Sequence, residues 1–127
     1  MENLIIEASS KTPAVSFGID GKMELSGRSI PENAIDFYKP LYDWLDAFAA
    51  NPCSQVEINI KLEYFNTSSS KCLLDVFKKA EAIGKTKNSQ VKINWYYEVD
   101  DEDMLEAGED YDIIISIPFK FIEVESL

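Results

Sequence analysis

Two stretches of alternating polar and apolar residues constrain the fold of this chain more than any other feature. In residues 55–65 every second side chain from Val56 to Tyr64 is apolar, and residues 91–99 repeat the pattern. Successive side chains of a strand point to opposite faces, so the alternation predicts strands with one face on the core and one in water. Strands of a doubly wound sheet read instead as continuous apolar runs. We therefore expect helices on one sheet face only.

The second face of this sheet should be open to solvent. The polar positions of the two alternating stretches, expected on that face, are Glu57, Asn59, Lys61, Lys92 and Asn94. Trp95 and Tyr97 belong to the core set, which leaves Tyr96 as an exposed aromatic residue and a candidate partner contact. The solvent-facing side of the sheet also allows an alternative function, in which the chain is a small-molecule sensor that binds its ligand on this face or at Pro40.

Three short segments near the N-terminus predict further strands. They are residues 4–8, 15–19 and 22–26, and the last two form a hairpin around Asp20-Gly21, a strong two-residue turn signal.

A first helix is predicted after residues 29–32, Ser-Ile-Pro-Glu, which have the form of a capping box with proline in the first turn. Apolar residues then recur at three- and four-residue spacing from Ala34 to Phe48, which makes one apolar helix face. Pro40 lies inside this pattern and should kink or split the helix.

Two further helices and a last strand complete the predicted order. Residues 68–84 predict a helix with Gly84 as its C-cap, residues 101–107 an acidic helix, and residues 113–124 a final strand. Strands separated by helices usually pair in parallel. The chain, residues 1–127, therefore predicts a single domain of the α/β class, with two layers and a mixed, mostly parallel sheet with helices packed on one face.

Charge and length limit the partners that this chain can have. Its 23 acidic and 12 basic residues give a net charge of −11, whereas nucleic-acid binding depends on neutralising phosphates with Lys and Arg. No apolar run is long enough to span a bilayer, and the N-terminus lacks the basic region of a signal peptide. We expect a cytoplasmic protein that binds no nucleic acid, does not insert into membranes, and has proteins or small molecules as partners.

The residue sets that catalysis or metal binding would need are missing. The chain has no histidine, the commonest general base and zinc ligand, and Cys53 and Cys72 have no metal or redox spacing. A glycine-rich phosphate loop is also absent. We therefore expect no enzymatic activity and no cofactor.

An acidic run of nine carboxylates lies between residues 98 and 112. Counted from Asp101, the fifth and sixth positions are Leu105 and Glu106, so the run fails the calcium-loop pattern, which needs an oxygen ligand and then a glycine there. A solvated helix whose first acids complement the helix dipole explains the run better. We expect no metal site here. Glu102 and Glu106 are candidates for an acidic partner surface, and a metal-dependent hydrolase is the remotest alternative.

The most informative segment runs from Tyr64 to Lys71, where a strand ends and a helix begins. Residues 67–70 all carry hydroxyl groups. A cap from Asn66 or Thr67 would satisfy one backbone donor, worth about 1 kcal/mol, and plain capping is one reading of the segment. A phosphoacceptor is the other, because helix N-terminal N–H groups bind anions and Lys71 lies one turn away.

Three segments together resemble the SiaC family of bacterial regulatory phosphoproteins. They are residues 27–33, residues 62–71 around the motif Asn-Thr-Ser-Ser, and residues 95–98 running into the acidic run. The likeness covers nearly the whole chain. It implies a partner-switching protein in c-di-GMP signalling: a protein kinase phosphorylates the motif threonine, a PP2C-like phosphatase removes the phosphate, and the unmodified form binds an effector protein such as a diguanylate cyclase.

The motif threonine of the family is Thr67 in this chain. The partner-binding residues that the resemblance implies around it are Tyr64, Asn66, Ser68, Ser69 and Lys71. The arrangement is also similar to anti-sigma-factor antagonists of the STAS class, in which a serine follows an aspartate at a helix start. Asn66 replaces that aspartate and supplies no charge. The resemblance thus implies a STAS-like fold and a non-catalytic signalling switch.

Overall fold

One six-stranded sheet and three helices make up the chain in its computed structural model, which describes residues 1–127 apart from the side chain of Lys87. The strands are β1 (Leu4–Ile6), β2 (Ala14–Phe17), β3 (Lys22–Ser29), β4 (Gln55–Phe65), β5 (Gln90–Glu98) and β6 (Phe119–Val124). The helices are α1 (Ala34–Ala49), α2 (Thr67–Lys87) and α3 (Glu102–Ile114).

The sheet is mixed, and its strands lie in the same order as in the sequence. β1, β2 and β3 pair antiparallel, whereas β3, β4, β5 and β6 pair in parallel and are joined by the three helices. The predicted order of elements is confirmed. The β2–β3 hairpin is also confirmed, but its loop spans residues 18–21 and is closed by a bond from the Gly18 N–H to the Lys22 carbonyl, so it is not a two-residue turn.

All three helices pack on one face of the sheet around Trp95. This fully buried ring lies 6.3 Å from Phe77 of α2 and 5.6 Å from Tyr111 of α3, measured between ring centroids. Tyr38 of α1 is buried in the same core. The prediction of two layers with one open sheet face is therefore confirmed. Within the described residues, no helix has the length and hydrophobicity to cross a bilayer.

The burial of Asn94 differs from the prediction for the open face. This residue is only 5% exposed, and its amide nitrogen donates to Glu57 at 2.8 Å and to Asn59 at 2.9 Å. The prediction that Asn94 is solvent-accessible is wrong, because its side chain is buried and bonded to two residues of the neighbouring strand. Lys92 is exposed, and Glu57, Asn59 and Lys61 keep part of their surface in water.

A β-bulge ends the alternation of β4. The register shifts after Gly27, so that Arg28 pairs with Tyr64 and leaves Glu63 without a partner. An extra residue reverses the faces of the side chains that follow it. Tyr64 was predicted on the core face and is instead 50% exposed, while Phe65 packs against the core.

α1 begins at a cap other than the predicted one. The Asn33 side chain accepts the Asp36 N–H at 3.1 Å, whereas Ser29 ends β3 with a buried hydroxyl. The capping-box prediction is wrong because that hydroxyl bonds within the core. Pro40 does not split the helix, which continues to Ala49 with its apolar face on the sheet.

α2 and α3 both extend beyond their predicted ends. α2 continues past Gly84, and Asn88, with a φ of 58°, is its left-handed C-cap. The isoleucine run 113–115 was predicted as strand, but α3 extends to Ile114 because Tyr111 packs in the core and its carbonyl accepts the Ile115 N–H.

Gly108 allows α3 to lie directly on Trp95. A Cβ atom at position 108 would lie 2.6 Å from the indole Cδ1 and Nε1 atoms, and the indole is itself held by a 2.9 Å bond to the Met104 carbonyl. Gly108→Ala should therefore lower the free energy of unfolding by about 1–3 kcal/mol. Urea denaturation followed by circular dichroism measures this loss.

Gly84→Ala is the matched control, because it also places alanine inside a helix. Its Cβ would meet nothing closer than 3.5 Å, so helix propensity should raise stability by up to about 1 kcal/mol. Equal stability of the two variants would contradict the close approach of α3 to Trp95.

Candidate functional site

The junction between β4 and α2 positions the predicted phosphoacceptor. Asn66 has an extended backbone, and its side-chain oxygen accepts the Ser69 N–H at 2.9 Å, so Asn66 is the N-cap of α2. Thr67 is then the first helical residue, and its side chain is exposed. The amides of the first helical turn lack helical acceptors and carry the positive end of the helix dipole. The Thr67 hydroxyl therefore lies where an added anion is favoured.

An exposed surface surrounds Thr67, and we call it the helix-start surface. Its members are the exposed residues Arg28, Tyr64, Thr67, Ser68 and Lys71 and the half-buried Asn66. Five of these were predicted from the sequence, and Lys71 lies one helical turn beyond Thr67, where it faces the same side.

Arg28 is the member that sequence reasoning missed. Strand pairing places it beside Tyr64, with its guanidinium carbon 5.6 Å from the centroid of the tyrosine ring. Neither Arg28 nor Lys71 forms an ion pair with any residue that the structure describes. The motif 27–33 contains Arg28, but only the β3–β4 register brings it next to residue 64. Two cations without an ion pair among the described residues thus belong to this surface of a strongly acidic chain: Lys71 on α2 and Arg28 at the end of β3.

Ser69 attaches the start of α2 to the core. Its hydroxyl donates to the Ser29 carbonyl at 2.9 Å and accepts from the Ser29 hydroxyl at 2.8 Å. The Ser29 hydrogen is then used, so the Tyr38 hydroxyl, 2.7 Å away, is the donor of the third bond. All three side chains are fully buried. Ser69 was predicted to contact partners, but in this structure its side chain faces the interior.

Two more tyrosines hold the first turns of α2. The Tyr111 hydroxyl of α3 donates to the Ser70 carbonyl at 2.7 Å, and the Tyr42 hydroxyl of α1 donates to the Cys72 carbonyl at 3.0 Å. Burial raises the pKa of both phenols, so they remain donors throughout the ordinary pH range. α1 and α3 therefore fix the helix start from both sides while Thr67 stays free.

The remaining predicted contacts lie on other elements. Tyr96 is on the open sheet face, with the Lys61 ammonium 5.0 Å from its ring centroid. Glu102 and Glu106 are exposed on α3, and neither forms an ion pair with the described residues. Across the described part of the chain, no three acidic or thiol side chains converge where a metal ion could be held.

A cleft of about 700 Å³ lies at the opposite edge of the sheet, where the parallel strands begin. Its lining includes Gly21, Gln55, Gln90, Ser116 and Pro118. Glu57 and Lys92, two of the residues predicted on the open sheet face, also line it, whereas Pro40 does not. The cleft therefore gives no support to a ligand site at Pro40.

Comparison with known proteins identifies the family of this chain. Residues 6–124 match the family described as SiaC family regulatory phosphoprotein. The chain belongs to the SiaC family. An uncharacterised relative from Pseudomonas aeruginosa strain UCBPP-PA14 is 29% identical over 120 residues, which cover 94% of either protein.

Solved SiaC structures share the whole fold of this family member. SiaC of Pseudomonas aeruginosa is 27% identical and superimposes with a TM-score of 0.88, over 98% of this chain and 100% of that one. A second structure holds the diguanylate cyclase SiaD in complex with its activator SiaC from the same organism; there the likeness is 28% identity and a TM-score of 0.85, over 95% and 99% of the chains.

The cap geometry makes a prediction about stability. Asn66→Ala removes the acceptor of the Ser69 N–H and should lower the free energy of unfolding by about 1 kcal/mol. Thr67→Ala, at the next position, is the matched control. It removes an exposed side chain and should change the free energy of unfolding by less than about 0.5 kcal/mol. Guanidinium denaturation compares the two variants, and a larger loss for Thr67→Ala would contradict the assignment of Asn66 as N-cap.

The buried Tyr38 phenol predicts a loss of stability in alkali. Burial raises its pKa from 10.0 to about 12, so the folded state holds the proton more tightly than the unfolded state. This contribution is complete below the unfolded pKa and is lost as pH rises through the folded pKa. The melting temperature should fall between those values, and less steeply in Tyr38→Phe, which cannot ionise there. Parallel slopes for the two proteins would contradict this cause.

Proposed function

We propose that this chain is a non-catalytic signalling switch, in which reversible phosphorylation of Thr67 controls binding to an effector protein. The observation that carries the proposal is the exposed Thr67 hydroxyl at the first position of a firmly anchored helix, inside the Asn-Thr-Ser-Ser motif. A protein kinase adds the phosphate, and a PP2C-like phosphatase removes it.

The proposed effector is a diguanylate cyclase. Support comes from the SiaC relative that is found in complex with the cyclase SiaD as its activator. The unmodified form of this chain would bind the effector through the helix-start surface, with Tyr64 and Lys71 exposed beside Thr67. Tyr96, Glu102 and Glu106 are further proposed contacts on the neighbouring elements.

Charge explains how one phosphate would release the effector. A phosphate adds about 1.5 to 2 negative charges at neutral pH, which an exposed helix N-terminus accommodates. An interface that covers Thr67 would instead bury this charge, and an uncompensated buried charge costs several kcal/mol. Since about 1.4 kcal/mol is a factor of ten in affinity, phosphorylation should weaken binding strongly without unfolding the protein.

Two of the three neighbouring serines are poorer acceptors for the same kinase. Ser69 is fully buried and bonded to Ser29, and the Ser70 hydroxyl donates to the Thr67 carbonyl at 2.7 Å. Ser68 is exposed and is the main competitor. Mass spectrometry of protein from its own host decides between Thr67 and Ser68, and phosphate on Ser68 with Thr67 always bare would refute the assignment.

Two substitutions at Thr67 test the switch. Thr67→Ala should bind a diguanylate cyclase from the same host as tightly as the unmodified protein does, because it cannot be phosphorylated. Thr67→Glu should fold normally and bind at least about tenfold more weakly, since one buried charge costs about 1.4 kcal/mol or more. Isothermal titration calorimetry measures both affinities.

Ser68→Glu is the matched control for charge alone. It adds the same carboxylate one residue away, where the helix rotates the side chain by about 100°, and should weaken binding less than Thr67→Glu. Equal effector affinity for Thr67→Ala and Thr67→Glu would refute the mechanism.

A further inference from the structure

We propose that Arg28 binds the phosphate on Thr67 and leaves the Tyr64 ring when it does so. The inference rests on the proposed function and names the side chain that detects the modification. It concerns a residue on β3, whereas the modified threonine and its nearest helical cation, Lys71, both belong to α2.

Backbone contacts bring Arg28 close to the start of α2. The carbonyl of the next residue, Ser29, accepts the Asn66 N–H at 3.1 Å and the Ser69 hydroxyl at 2.9 Å. The end of β3 is therefore fixed against the cap and first turn of α2. Arg28 is one residue from these bonds and pairs with Tyr64, three residues before Thr67. The proposal requires the extended Arg28 side chain to reach from this position to a phosphate on the first helical residue.

The bulge in β4 keeps Arg28 available. Because Glu63 is skipped, Arg28 pairs with an aromatic residue that the bulge has turned outward. Arg28 is exposed, and its identified side-chain contact is the stacking over the Tyr64 ring at 5.6 Å. A cation–π contact at an exposed site is weak, whereas a guanidinium binds phosphate through two charge-assisted hydrogen bonds. The Arg28 guanidinium should therefore bind a phosphate within reach in preference to the Tyr64 ring.

The charges at this edge of the sheet explain why the phosphate would need Arg28. Glu63 lies in the adjacent bulge of β4, and Glu98 ends β5, with Asp100 and Asp101 following at the same edge. These carboxylates repel a phosphate dianion and would raise its second pKa. Arg28 and Lys71 oppose them, and only the planar arginine matches the phosphate oxygens in pairs.

Movement of Arg28 would give the switch a second effect. The phosphate adds charge at Thr67, and at the same time it removes a cation from Tyr64, a proposed partner contact. The combined Arg28–Tyr64 surface exists only in the unmodified protein. A glutamate at position 67 carries one charge in place of nearly two and lies closer to the backbone, so it should hold Arg28 less well than phosphate does.

Phosphorus NMR of the full chain with phosphothreonine genetically encoded at position 67 tests the contact directly. The second pKa of the phosphate should lie below its ordinary value of about 6. Arg28→Ala should raise this pKa by at least about half a unit, which is a threefold change in the proton-binding constant, and Arg28→Lys should restore part of the shift. Tyr64 ring protons should shift on phosphorylation in the native sequence and remain in place in Arg28→Ala.

Lys22→Ala is the matched control. Lys22 is also an exposed β3 cation outside the ion pairs of the described residues, but it lies at the far end of the strand beside the cleft. Its removal should leave the phosphate pKa unchanged. An equal pKa in the native sequence and in Arg28→Ala would overturn the proposal, and so would a shift that depends wholly on Lys71.

The result is independent of the test of the proposed function. The phosphate is installed during synthesis, so the titration succeeds or fails whether or not a kinase modifies Thr67 in the host. Failure of the proposed function would appear as bare Thr67 in the host or as equal effector affinity of the Thr67 variants. Failure of the Arg28 proposal would appear only in the phosphate titration and the Tyr64 spectrum.

Discussion

A buried chain of three hydroxyl groups, from Ser69 through Ser29 to Tyr38, is the interaction on which the candidate site depends. It joins the start of α2 to β3 and to α1 inside the core, where each hydroxyl has a partner at 2.7 to 2.9 Å. Buried polar groups stabilise a structure only when they are satisfied, and loss of one partner leaves another unpaired. The chain of bonds therefore permits one arrangement of the helix start and holds the exposed threonine two residues before it in a defined place.

In this arrangement the four adjacent hydroxyl residues 67–70 have different roles. Ser69 points inward and bonds to Ser29, the Ser70 carbonyl receives the Tyr111 hydroxyl, and the Ser70 hydroxyl bonds to the backbone of Thr67. Only Thr67 and Ser68 are exposed. A modification on this surface need not disturb the core, because the residues that anchor the helix differ from the one that we propose carries the phosphate.

The bulge in β4 determines which side chains reach the helix-start surface. Unbroken alternation would place Tyr64 in the core and leave Phe65 outside. The extra residue exchanges the two, so that an aromatic ring and an arginine lie together beside the helix start. The sheet face that carries them has no helices on it, which leaves both residues accessible to another protein.

The sequence by itself determined the order of the elements, the single helix-covered face and the motif at the start of α2. These depend on patterns of period two and of three to four residues, and on a short motif, all of which are local. The tertiary structure alone decided the role of Ser29, the position of Arg28 and the burial of Asn94. Their partners lie far away in the chain, as Ser29 and Ser69 do at 40 residues apart. The end of α3 also followed packing, because Tyr111 in the core kept Ile113 and Ile114 in a helix that β-branched residues locally disfavour.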